Sequence, residues 1–194
     1  MSRLIHLNGP PGIGKSTLAQ MYVDHHVGVL NLDIDELRPL IGGWRDLFAE
    51  TGELVRPIAL GMASTHLSAG HDVVMPQYLG RLSEIERFEA VAQDSGAVFL
   101  ETVLMDTKER SLRRFTQRGQ SSELPWHRQV HEVVERSGGL PMLADMYDQL
   151  AEVLRSRPGA TVIPSQADAI QRTYKAFTAA LDEKPSVGRP RSGT

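Results

Sequence analysis

Gly9-Pro10-Pro11-Gly12-Ile13-Gly14-Lys15-Ser16-Thr17 completes the pattern G-x-x-x-x-G-K-[ST], and its flanks decide the fold. Each residue type has a physical reason. The glycines permit backbone angles closed to other residues and leave room for the chain to curl around an anion. Successive N–H groups then converge as a nest at the positive end of the following helix. Lys15 brings a point charge to the outer phosphates, and the Ser16 hydroxyl offers a ligand to Mg²⁺. The context fits, because the apolar run Leu4-Ile5-His6-Leu7 precedes the loop and a helix with Leu18, Met21 and Tyr22 on one face follows it. Gly9 to Thr17 is therefore the expected nucleotide-phosphate site, with ATP and Mg²⁺ as the expected cofactors.

Outward from the loop, strand and helix signals alternate. Strands are expected at Val27–Leu32, Asp72–Met75, Ala97–Leu104 and Ala160–Ile163. Helices are expected from Glu36 to Leu40, Leu54 to Ala69, Leu82 to Asp94, Thr107 to Arg118, His127 to Arg136, Met142 to Leu154 and Ala167 to Leu181. Strands separated by helices pair in parallel, with helices on both faces. The fold class is thus α/β, a parallel five-stranded sheet, and ligands belong at the carboxyl ends of its strands. We assign residues 1–181 to a single domain and 182–194, rich in Pro, Gly, Ser and Arg, to a flexible tail.

Composition sets the limits. The chain has 194 residues with a formal net charge of -3, one domain's worth and too acidic for a general nucleic-acid binder. It contains no cysteine, which excludes disulfides, thiolate metal sites and a cysteine nucleophile. No segment offers the roughly 20 continuous apolar residues of a membrane span, nor a signal peptide. A cytoplasmic protein that meets neither nucleic acid nor membrane is expected; its oligomeric state is not legible.

A second constellation follows the second strand. In Leu32-Asp33-Ile34-Asp35-Glu36-Leu37-Arg38 two carboxylates stand two residues apart and share a face if the segment is extended. Phosphoryl transfer to a hydroxyl needs a carboxylate to orient that hydroxyl and accept its proton, and oxygens to hold the metal. One acid for each task would suffice; the competing reading is that Asp35 merely caps the helix that follows.

The phosphate loop resembles that of the P-loop NTPases, and within them the small kinase branch. A GTPase would carry N/T-K-x-D, but Thr107-Lys108 continues as Glu109-Arg110. The D-x-D-x-L-R stretch resembles that of small-molecule kinases such as shikimate kinase and chloramphenicol phosphotransferase. That resemblance implies Asp35 as the base and Asp33 beside Ser16 as the metal-side acid, or the reverse. It also implies a helical lid at about 115–140 whose arginines meet the base and the transferring phosphoryl group.

Arg110, Arg114 and Arg118 repeat every four residues and line one helix face. Arg118, next to Gly119, is the expected transition-state cation, and Arg114 the expected nucleotide contact. Arg38, Trp44, Gln77, Tyr78 and Arg81 are the expected acceptor contacts. Gln77 marks a departure, since many P-loop kinases carry an acid after this strand; tunicamycin-resistance-type proteins are similar here. His127 and His131 stand four apart but lack the Glu of H-E-x-x-H, so no metal site is assigned to them. The expected activity is transfer of the γ-phosphoryl group of ATP to a hydroxyl of a small molecule, an antibiotic or metabolite. The alternative is an ATP-binding protein that hydrolyses slowly or sequesters its ligand.

Overall fold

The computed structural model describes residues 1–121, Glu132 and residues 138–183, without the side chains of Phe48, Ala49 and 118–121. Five parallel strands, β1 (Arg3–Asn8), β2 (Leu30–Asn31), β3 (Val73–Met75), β4 (Val98–Met105) and β5 (Thr161–Pro164), lie in the order β2-β3-β1-β4-β5. The expected α/β class and five-stranded parallel sheet are what the chain adopts.

β1 is central and covered on both faces, and alternation sends its side chains into two cores. Ile5 and Leu7 face Leu18, Tyr22 and Phe177 beneath α1 (Lys15–His25) and α6 (Ile170–Glu183). Leu4 faces Val55, Ala59, Ile85 and Phe88 beneath α2 (Phe48–Ser68) and α3 (Leu82–Asp94). In α2 the stripe Thr51, Val55, Ala59, Ala63 and Leu67 is buried at every fourth residue, the spacing of one helical face. Burying side chains of this size stabilises by roughly 1.5–3 kcal/mol each before entropy is set against it.

The remaining helices, α4 (Lys108–Ser121) and α5 (Gly139–Ser156), meet through Phe115 and Leu143. Gly12, at φ 79°, lets α4 approach the phosphate loop; a Cβ there would lie 3.1 Å from the Phe115 Cα. Among the described residues no helix is long and apolar enough to cross a membrane.

Three expectations need correction. β2 pairs only over Leu30–Asn31 rather than Val27–Leu32, because Gly28 turns at φ 83° and Val27 is fully exposed. α2 starts at Phe48, six residues before the expected Leu54, and runs through Gly52 and Pro57. The segment after β2 is a 3-10 helix, Ile34–Leu40. The expected helix at His127–Arg136, with His127 and His131, lies outside the described residues apart from Glu132, as does most of the expected lid.

Candidate active site

β1 delivers the phosphate loop directly. Asn8 is its last residue, and Gly14, at φ 109°, precedes the first turn of α1. The Lys15 ammonium donates to Gly9 O at 2.8 Å and to Pro10 O at 3.1 Å. It therefore lies over the mouth of its own loop, where a phosphate would meet it.

Beside it, the Ser16 hydroxyl donates to Asp33 Oδ2 at 2.8 Å. Asp33 also caps the 3-10 helix, its Oδ1 accepting from Asp35 N at 3.2 Å. Capping thus belongs to Asp33, not Asp35, which removes the competing reading of Asp35. Burial, then the neighbouring Asp35 charge, lifts the Asp33 carboxyl to about 6; the bond from Ser16 opposes this. A crowded carboxylate beside a hydroxyl is an oxygen donor set suited to a hard divalent cation such as Mg²⁺. Asp35 instead receives Arg38 Nε at 3.2 Å. The Arg38 guanidinium lies against the backbone of α2, where a Cβ at Gly52 would stand 3.0 Å from Nη1 and 3.1 Å from Nη2.

On the other side of the loop, Arg114 turns inward from α4. It donates from Nη2 to Ile13 O at 2.8 Å and from Nη1 to Ser165 O at 2.9 Å. Ser165 Oγ donates to the same Ile13 carbonyl at 3.2 Å. Asp106, at the end of β4, lies 3.9 Å from Arg114 and 3.6 Å from Arg110. Burial lowers the Arg114 guanidinium below its usual value against the pull of Asp106, yet a guanidinium stays charged at any working pH.

A family model described as "AAA domain" matches residues 4–136, a stretch that contains the phosphate loop, both acids and Arg114. The chain belongs to this AAA domain family.

Solved structures share the AAA-domain chain's P-loop kinase-like fold. A gluconokinase from Sinorhizobium meliloti 1021 is 15% identical with a TM-score of 0.62, over 92% of this chain and 90% of its own. The tunicamycin resistance protein of Deinococcus radiodurans is 18% identical with a TM-score of 0.59, over 93% and 96%. A Chloroflexus aurantiacus protein named provisionally as a kinase is 16% identical with a TM-score of 0.65, over 95% and 98%. No curated protein matches the sequence.

The other expected site residues lie on several elements of this AAA domain. Trp44 follows the 3-10 helix and carries the Arg45 guanidinium 5.4 Å from its ring centroid. Gln77 follows β3, and its Oε1 is buried with no hydrogen-bond partner among the described residues. The Tyr78 hydroxyl is engaged by α5, donating to Met146 O at 2.9 Å. Arg81 precedes α3, and its carbonyl accepts from Glu84 N and Ile85 N. Arg118 falls in α4, and its side chain lies outside the description.

Two residues escaped the sequence reading. His6 and Asn8 sit in β1 among apolar neighbours, both fully buried, and both bond the loop after β3. His6 Nε2 lies 3.0 Å from Gln77 O; a carbonyl only accepts, so Nε2 carries the proton. Among the described residues Nδ1 has no hydrogen-bond partner; it lies 4.0 Å from Glu101 Oε1, which has none either. Burial first, then the Lys15 and Arg157 charges, depresses the imidazole to about 4, so it is neutral at pH 7. The available signal was two polar residues at alternate positions of a central strand.

Proposed function

We propose that this protein transfers the γ-phosphoryl group of ATP to a hydroxyl of a small molecule. The observation that carries the reading is the 2.8 Å bond from Ser16 Oγ to Asp33 Oδ2. It joins the phosphate loop to the acidic segment and brings Asp35 to the same edge of the sheet.

Lys15 and the loop N–H groups hold the β- and γ-phosphates, and Arg114, braced by Ile13 and Ser165, flanks the nucleotide. Ser16 and Asp33 would hold Mg²⁺, which would supply charge neutralisation to the phosphates when bound. Asp35 receives the proton of the acceptor hydroxyl, with Arg38 fixing its carboxylate. Arg38, Trp44, Gln77, Tyr78 and Arg81 are the proposed acceptor contacts, and Arg118 is the proposed transition-state cation. Positioning and charge stabilisation supply the rate, as in phosphoryl transfer generally. The fold shared with a gluconokinase and a tunicamycin resistance protein supports a hydroxylated metabolite or antibiotic as acceptor.

The test is Mg-ATP consumption across a panel of sugars, sugar acids, nucleosides and hydroxylated antibiotics. Stimulation by one compound class supports the proposal. Tight ATP binding with slow, compound-independent hydrolysis would favour an ATP-driven switch, and ligand binding without turnover would favour sequestration.

A further inference from the structure

β1 ends in a side chain that belongs to two loops at once. Asn8 Oδ1 accepts from Gly9 N, the first amide of the phosphate loop, at 2.8 Å. The same oxygen accepts from Leu79 N at 3.1 Å, and Asn8 Nδ2 donates to Leu79 O at 3.0 Å. One fully buried carboxamide thus ties the phosphate loop to the segment carrying Gln77, Tyr78 and Arg81. One turn back along the same face of β1, His6 holds the Gln77 carbonyl.

The far side of this segment is fixed as well. Tyr78 reaches α5 through its hydroxyl, and it can do so only because residue 80 is glycine. A Cβ at Gly80 would stand 2.2 Å from the Tyr78 hydroxyl. The segment is therefore held from both sides, by β1 and by α5, and Asn8 is its joint with the phosphate loop. The chain of contacts continues to the cation, since the Gly9 carbonyl is a station of the Lys15 ammonium. Were Lys15 drawn from Gly9 O to a phosphate, the Gly9–Pro10 peptide would lose that contact while Asn8 keeps hold of the preceding peptide through Gly9 N.

We propose that Asn8 is a positioning residue that couples occupancy of the phosphate loop to the loop after β3. It sets where Gln77 and Arg81 stand relative to the transferring phosphate. This rests on the functional reading above for the roles of the two loops, but the coupling itself is a property of the hydrogen bonds.

Hydrogen exchange on the full chain tests it, with and without Mg²⁺ and a non-hydrolysable ATP analogue whose binding is measured calorimetrically. In the wild type the peptide over residues 76–81 is protected, and the analogue slows its exchange further. Asn8→Ala is expected to speed exchange of that peptide about tenfold or more, because two buried donors and one acceptor lose their partner. Peptides from α1 and β4 stay as they were, and the analogue still binds but no longer slows residues 76–81. Asn8→Ser keeps a neutral hydroxyl that can both accept and donate and is expected to restore part of the response; it also serves if Asn8→Ala fails to fold.

With an acceptor in hand, Asn8→Ala should raise its KM about tenfold, with a smaller rise in the KM for ATP because the coupling is reciprocal. Unchanged exchange over 76–81 in Asn8→Ala, or an undiminished response to the analogue, overturns the proposal. So does a rise in exchange spread evenly over the whole chain, which marks a merely structural role. Failure of the wild type to bind the analogue would refute the nucleotide reading, while the ligand-free comparison still decides the joint.

Discussion

Acidification isolates His6, the buried imidazole between the phosphate loop and Glu101. The folded chain holds it to about 4, whereas an unfolded chain would titrate near 6.5. Between those values the unfolded state binds the proton and the folded state does not. Stability is therefore complete above pH 6.5 and is lost as pH falls toward 4. From the two values the loss is about 2 kcal/mol at pH 5 and about 3 kcal/mol at pH 4. Asp33 acts in the opposite sense. Its carboxyl is raised to about 6 from 3.8, so the folded state holds that proton more tightly and gains stability as pH falls through 6. Its half-buried position limits that gain to about 2 kcal/mol or less. Wild-type stability should then look nearly flat between pH 7 and 5, because the two effects offset. His6→Gln removes one of them while its amide can still donate to the Gln77 carbonyl. Urea unfolding of both proteins from pH 7 to 4 checks this. The difference between the two curves should change by about 3 kcal/mol over that range, in the direction that favours the variant in acid. Parallel curves would refute the reasoning.

Three further outcomes follow from the contacts. Gly52→Ala places a Cβ about 3 Å from the Arg38 guanidinium and improves helix propensity by up to about 1 kcal/mol. A melting curve should show no loss of stability, while steady-state kinetics should show a raised KM for the acceptor. Tyr78→Phe removes the bond to Met146 O and should lower stability by about 1 kcal/mol in denaturant titration, with ATP affinity unchanged. Arg114→Ala strips a charged donor from Ile13 O and Ser165 O and should weaken ATP binding about tenfold by calorimetry.

The sequence exposed most of this architecture because its signals are local. The phosphate loop is contiguous, α3 was bounded at Leu82–Asp94 by its own periodicity, and the parallel sheet followed from alternation. What was hidden depends on contacts between distant segments. The expected helix begins only at Leu54, already running through Pro57, whereas α2 starts at Phe48 and holds Gly52 inside it, where the Arg38 guanidinium packs on its backbone. Asp33 and Asp35 were interchangeable on paper; the geometry separates them, since only Asp33 meets both Ser16 and the Asp35 amide. His6 reads as one member of an apolar strand, and Asn8 as the start of the loop that closes it. Their roles appear only once parallel pairing of β1 with β3 brings Gln77 and Leu79, about seventy residues on, against the same face.

The central claim is that a phosphoryl group leaves ATP for a hydroxyl with Asp35 as the receiving base. The most direct measurement follows label from γ-³²P-ATP into each compound that stimulates ATP consumption, with wild type and Asp35→Asn side by side. A labelled compound is expected with the wild type, with at least a hundredfold loss in its formation by the variant at unchanged ATP affinity. Label that appears only in inorganic phosphate, or an Asp35→Asn variant that labels the compound as fast as the wild type, would contradict the claim.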